Sequence, residues 1–344
     1  DQALRLNHGG PWWNAVTFAE GAGGVGGTGS ENTAAPPLAE PPAVSAFKLQ
    51  DTADQLEYFI AKDLIDPSFE RMIEHYRAVL EEIERSDEPD AVTKLSPEQF
   101  GRLGSFYNRI VHYADAPPID TGAVNPSLDF ERIEDGYLSS TVSVTTFDDF
   151  LTPEALQALR DFCLKSTIFF NCSGNRFVGS WITSGFNCGL LYQMAEELKE
   201  RLPRVLGGHE LSNMWVYRYR NQSEGVGKHT DEGAVSFNFW ITPDDANLAP
   251  DQGGLVVYAK YQPYDWDWFR YNVEQYTPDV KQEIDDFLAD AETITIPYRE
   301  NRAVLFHSNL FHGSDRVHFK DGFENRRMNV TMLFGKRGAG FDNP

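Results

Sequence analysis

The spacing of apolar positions changes character along the chain. From residue 66 to 83, Phe69, Met72, Ile73, Tyr76, Leu80 and Ile83 recur with a 3.6-residue period, which predicts a helix with one buried face. Asp66-Pro67 supplies its cap and first-turn proline. SPEQFGRLGSFYNRIV (96–111) predicts a second helix. Thr152-Pro153 opens a third, with Leu151 set to staple against Leu156, and Leu190, Leu191, Met194 and Leu198 mark a fourth. From about residue 213 the period falls to two. NMWVYRYR (213–220), GGLVVYA (253–259), ETITI (292–296), RAVLFH (302–307) and RRMNVTMLFG (326–335) all predict strands. In KHTDEGAVSFNFWITP (228–243), Val235, Phe237, Phe239 and Ile241 alternate with Ser236, Asn238, Trp240 and Thr242, the pattern of a half-buried strand. One helix, TPDVKQEIDDFL (277–288), interrupts the strands with Val280, Ile284, Phe287 and Leu288 inward. Short strands with Gly-rich turns predict an antiparallel sandwich or barrel of the jelly-roll kind.

Three regions follow. Residues 1–45, Gly-rich and then Pro-rich from residue 21, predict an extended arm that Trp12 and Trp13 could anchor; 46–120 form a helical region; 121–344 form the α+β domain with the strands.

Composition narrows the function classes. The chain has 344 residues, 41% of them apolar, enough for a sizeable core. It has no long apolar run and no basic segment followed by an apolar one at its start, so neither a membrane span nor a signal peptide is expected. Cys163, Cys172 and Cys188 form no disulfide framework and no zinc-type pair, as expected of reduced thiols in a cytoplasmic protein. A net charge of −22 argues against nucleic acid or an anionic membrane as partner. It reads as a solvated acidic surface, with a cationic substrate the sharper alternative.

His229 and Asp231 need a separate reason, because neither helps a strand to pack. At i and i+2 of an extended segment they point the same way and can share one divalent ion. Without a thiolate, the set suits two histidines and one carboxylate on one side of a metal, the arrangement used for non-haem Fe(II). The third ligand is expected on another strand, from His307 or His312 in NRAVLFHSNLFHGSD (301–315). Gly313 gives room for a ligand next to His312, which is favoured, leaving His307 as a supporting or core residue. Arg327 leads the polar side of RRMNVTMLFG, where Asn329 and Thr331 follow; buried, it would need an anion, and a dicarboxylate would supply one. Arg326 is expected at the surface.

His229-x-Asp231, His312 and Arg327, in that order and in fitting strand contexts, resemble the Fe(II)- and 2-oxoglutarate-dependent dioxygenases, on the prolyl 4-hydroxylase-like branch. The resemblance covers about residues 140–338 and extends to WVYRYR, FNFWITP, GGLVVY and LFHSNLFHGSD. It implies a double-stranded β-helix (jelly-roll, cupin-like) core. It also implies Fe(II) on His229, Asp231 and His312, and 2-oxoglutarate on the iron with its far carboxylate on Arg327. O2 would be consumed, an unactivated C–H of a peptidyl or small-molecule substrate hydroxylated, and succinate and CO2 released. Because Asp231 is present, hydroxylation is expected rather than halogenation. Two departures stand out: residues 243–291 read as an insertion, and His307 sits where a proline or small polar residue is usual. Tyr217 or Tyr219, beside Arg218, could bond the 2-oxoglutarate carboxylate or simply pack in the core; Asn238 could face the co-substrate or solvent. Trp266, Trp268, Phe269 and Tyr271 in YAKYQPYDWDWFRYN (258–272) suggest a lid or substrate wall, or packing on the helical support. Two other readings remain open: a metal-binding jelly roll without oxygenase activity, acting as sensor or scaffold, and a cupin-like metalloenzyme that needs no 2-oxoglutarate.

Overall fold

The computed structural model describes residues 42–338; the arm expected over 1–45, with Trp12 and Trp13, falls almost wholly outside that range. Ala43–Val44 are not part of an arm. They form a strand (β1) paired antiparallel with Thr93–Lys94 (β2), and the Ser45 hydroxyl accepts from Lys48 N–H to cap the helix Ala46–Ala61.

The chain divides into two compact units. The first takes in residues up to 115 together with 161–187, a wider helical body than the 46–120 region expected. Its helix Glu70–Glu84 buries Met72, Ile73, Tyr76, Leu80 and Ile83, and Phe69, in the short turn Pro67–Phe69 ahead of it, is buried as well. Ser96 and Gln99 close a capping box on the helix Pro97–Leu103, which stops short of residue 111 because Gly104 turns the backbone to φ +58°. The Gln55 carboxamide donates to the carbonyls of Leu164 and Ser166, tying 161–187 to the first helix, and an antiparallel pair Asn171–Ser173 (β4) and Phe177–Trp181 (β5) lies in the same unit.

The second unit, residues 116–160 and 188–344, carries the chemistry. Five of its strands run in the hydrogen-bonded order β3 (Val144–Phe147), β11 (Ala303–His307), β8 (Val235–Trp240), β14 (Met328–Phe334) and β6 (Leu211–Tyr219), each neighbouring pair antiparallel. A smaller sheet orders β10 (Thr293–Ile296), β9 (Leu255–Tyr261) and β12 (Leu310–Ser314). This is an α+β jelly-roll core of two antiparallel sheets without a closed barrel. A short pair of β7 (Gln222–Ser223) with β13 (Val317–His318) completes the strands. Residues 255–261, expected within an insertion, form β9, the central strand of the smaller sheet, and the segment after it holds helices Trp268–Val273 and Pro278–Phe287.

Register sets which side chains share a face. Asn238 lies opposite Thr331 and Val304, Trp240 opposite Asn329, and Asn329 opposite Tyr217. Paired residues project from the same side of a sheet, so Ser236, Asn238, Trp240, Asn329, Thr331 and Tyr217 share one face. Phe237, Phe239, Leu305, Val330 and Met332 share the other. Both faces of β8 are buried, which corrects the half-buried expectation: the polar alternation looks inward, not to solvent.

Candidate metal centre

His229, Asp231 and His312 converge, each offering a ligand atom within 4.8 Å of the others. Two chain segments bring them together. Leu310–Ser314 pairs with β9, and the loop 226–231 lies beside it through a two-way bridge: His229 N–H donates to His312 O and His312 N–H to His229 O, both at 2.9 Å. Gly313 makes this approach possible, since a Cβ there would stand 3.0 Å from the Val226 carbonyl; its room serves the neighbouring backbone. Asp231 N–H in turn donates to the Ser308 carbonyl, at 2.9 Å.

The tautomers follow from the backbone. The Nδ1 atoms of His229 and His312 lie 2.8 Å from Gly227 O and 3.0 Å from Leu310 O, and a carbonyl can only accept, so each Nδ1 carries the proton. Each Nε2 therefore presents a lone pair, and these lie 3.9 and 3.5 Å from the two Asp231 oxygens. Burial pushes the His312 imidazole down to about 4, with His229 adding to the effect, which favours the neutral form a metal requires. Asp231 Oδ2 accepts from Ser236 Oγ at 2.6 Å, and Ser236 is linked to Ser308 Oγ at 2.8 Å. Ser236 and Ser308 thus orient the carboxylate, a role that sequence reading missed. The polar alternation of β8 was its only signal.

His307 takes no part in this cluster. It is buried at the end of β11, its Nδ1 accepts from Asn309 N–H, and its ring meets Tyr261 edge-on. The structure brings His312, and not His307, beside His229 and Asp231.

Arg327 is fully buried at the head of β14. Its Nε donates to the Gly253 carbonyl and one Nη to that of Gly254 at 3.2 Å, while its plane lies 4.4 Å from the Tyr219 ring centre. The glycines allow this: Gly253 has φ +81°, and a Cβ at Gly254 would collide with the Ile296 carbonyl. The second terminal nitrogen, Nη1, is buried without a hydrogen-bond partner, as are Asn238 Oδ1 and Trp240 Nε1. Asn238 is therefore not solvent-facing. Tyr219 donates to or accepts from Ser314 Oγ at 2.9 Å. Burial pushes the Tyr217 hydroxyl up, with Tyr219, Asp231 and Tyr276 close enough to add. Arg326 is a correction. It is buried, not at the surface, with its guanidinium over Phe323, as is Arg218 over the same ring.

The aromatic segment packs against the helix Pro278–Phe287 and against Phe311 of β12. Trp266 stacks on Tyr271 at 4.1 Å and reaches Phe287 and Phe311, while Phe269 stays 61% exposed.

No family model matches the chain, and no curated protein matches it. Among solved structures it is similar to the non-haem α-ketoglutarate-dependent carbocyclase SnoK from nogalamycin biosynthesis, at 11% identity and a TM-score of 0.43 over 62% of this chain and 86% of that one. It is similar to a prolyl 4-hydroxylase of Pseudomonas putida, at 16% identity and 0.39 over 60% and 99%. A third is a prolyl hydroxylase of Trichoplax adhaerens solved with a hypoxia-inducible-factor peptide, at 15% and 0.40 over 62% and 94%. At such identities and scores, what this site does is decided by its own side chains.

Proposed function

We propose that the protein is an Fe(II)- and 2-oxoglutarate-dependent oxygenase that hydroxylates an unactivated C–H of a peptidyl or small-molecule substrate. One observation carries this reading: in the same unit, two free imidazole nitrogens and a carboxylate meet within 4.8 Å, and a buried guanidinium on the adjoining strand has an unpaired nitrogen. The first set suits a divalent metal with nitrogen and oxygen preferences. The second suits a carboxylate, since a buried cation left unpaired is strongly disfavoured. His229, Asp231 and His312 would hold the metal; Arg327 would hold the far carboxylate of 2-oxoglutarate, with Tyr217, Tyr219 and Asn238 close to the space between.

When bound, Fe(II) and 2-oxoglutarate supply oxygen activation and hydroxylation, with release of succinate and CO2. The chain's own residues do the rest. Ser236 keeps Asp231 aimed with one oxygen, and the backbone carbonyls of Gly227 and Leu310 keep both imidazoles in the ligating tautomer. The buried inner face of β8 and β14 excludes water from the co-substrate. The open side is at His229, 20% exposed where Asp231 and His312 are 5% and 3%. Phe269, Val273 and Tyr276, all exposed, carry the apolar surface of the neighbouring segment, and we assign the substrate to that side.

Anaerobic titration with Fe(II) and 2-oxoglutarate tests the reading. A visible charge-transfer band is expected in the wild type and absent in Asp231→Ala. Its absence from the wild type would sink the proposal.

A further inference from the structure

The three proposed ligands are not supported in the same way. His312 and Asp231 rest on the sheets: on the Leu310 carbonyl, on Ser236, and on the Ser308 backbone. His229 sits on the loop 227–230, and most of that loop's polar groups are held by one segment, residues 262–285. Thr230 N–H, between the two loop ligands, donates to Asn272 Oδ1 at 2.9 Å. Thr230 Oγ1 donates to Gln262 Oε1, inside the protein. Gly227 N–H donates to the Tyr276 hydroxyl at 3.1 Å, and the Gly227 carbonyl is the group that fixes the His229 tautomer. Lys228 Nζ pairs with Asp285 and lies over the Tyr258 ring.

The segment is itself rigidly mounted. Trp266 and Tyr271 pack with Phe287 and Phe311, the latter one residue from His312. Arg270 grips Glu283 through two nitrogens, and Tyr271 donates to the same carboxylate. Asn272 is aimed by its own Nδ2, which donates to Trp268 O at 2.9 Å. Gln262 is fixed from two sides, by Arg337 on its side-chain oxygen and by Asn309 on its backbone.

We propose that residues 262–285 form a clamp that completes the positioning of His229, with Asn272 and Tyr276 as positioning residues: two ligands are fixed by the sheets alone, while the third, bridged to His312 through its backbone, is fixed by this segment as well. This rests on the metal site proposed above. Without the Asn272 acceptor, Thr230 N–H is left to water, and the peptide between His229 and Thr230 keeps only the tether of its carbonyl to His312 N–H. Without the Tyr276 hydroxyl, Gly227 loses its tether and its carbonyl can leave His229 Nδ1.

Co(II) alone is the probe, because its visible bands report the number and geometry of ligands independently of turnover. Affinity and spectrum are measured for the wild type, His312→Ala, Asn272→Leu, Asn272→Asp and Tyr276→Phe, each with its thermal midpoint. Asn272→Leu is expected to weaken Co(II) about tenfold and alter the bands, as loss of an orienting partner does. Asn272→Asp, which keeps the accepting oxygen but loses the Nδ2 bond that aims it, recovers only part of that loss. Tyr276→Phe, at a 42% exposed position that leaves folding intact, weakens binding about threefold. Wild-type affinity and bands in both Asn272→Leu and Tyr276→Phe overturn the clamp. Should Asn272→Leu not fold, Tyr276→Phe decides alone. If the wild type fails to bind Co(II), or His312→Ala binds it equally well, the metal site itself falls, and that outcome is distinct from failure of the clamp.

Discussion

The two faces of the large sheet are made by the same strands and do opposite things. On one, Phe237 and Phe239 pack against Phe150 at 4.8 and 5.0 Å, with Phe147 beside them and Leu305, Val330 and Met332 along the same side. On the other, Ser236, Asn238, Trp240, Asn329 and Thr331 are equally buried, with Arg327 just ahead of β14, and three polar atoms among them have no partner in the protein. A buried donor or acceptor left unpaired costs about 1–3 kcal/mol. The apolar face therefore carries the stability of the sheet, and the polar face holds unmet hydrogen-bonding capacity that a ligand would satisfy. Substitutions should separate the two.

The largest effect is expected at the ligands. Asp231→Ala removes the carboxylate and leaves two imidazoles alone, so Co(II) affinity, read by anaerobic calorimetry, should fall by more than about a hundredfold. The thermal midpoint of the metal-free protein should stay close to wild type. A variant that still binds one equivalent tightly would place the metal elsewhere.

Next comes the apolar face. Phe239→Ala empties a fully buried aromatic site and should cost about 3–5 kcal/mol in denaturant unfolding. The folded fraction should still bind one metal. Arg327→Met reverses that pattern. Deleting a buried guanidinium that has no carboxylate partner should leave stability unchanged or raise it by about 1 kcal/mol. Affinity for 2-oxoglutarate, followed by the charge-transfer band, should drop about tenfold to a hundredfold with the loss of a charged hydrogen bond. If Arg327→Met destabilises as Phe239→Ala does, the polar face is structural and the comparison fails.

The chain itself announced much of this contrast. The helix at 70–84 and strands β6, β8, β11 and β14 were visible because each repeats one period over several residues. The three proposed ligands were visible because His229-x-Asp231 abuts a strand and His312 follows another. What stayed hidden depends on pairing between distant segments. The alternation of β8 reads as half-buried, because nothing local to the strand shows that its polar side is buried too. Arg326 looks solvent-bound until Phe323 is folded beneath it. Asn272, Tyr276 and Ser308 carry no local pattern, since their roles arise only from hydrogen bonds to a loop or strand far away in sequence. Gly313 was read as space for a ligand and proves to be space for the backbone of residues 226 and 227.

The smallest expected effect is a pH dependence, and it sharpens the distinction between the two histidines of LFHSNLFHGSD. Burial, with Arg337 contributing, holds the His307 imidazole down at about 4, below its ordinary 6.5. The unfolded chain therefore takes up this proton at a higher pH than the folded one. Its contribution is fully present above about 6.5, declines as pH falls, and levels off below about 4. At roughly 1.4 kcal/mol per unit, the loss is about 3 kcal/mol at most. His307→Gln should flatten that part of the stability curve while leaving metal stoichiometry at one, because His307 bonds Asn309 N–H and is not one of the three converging side chains. His312→Gln should abolish binding instead. A His307 variant that lost the metal would mean that the chain had been read with the wrong third ligand, and the polar face would then need a different centre.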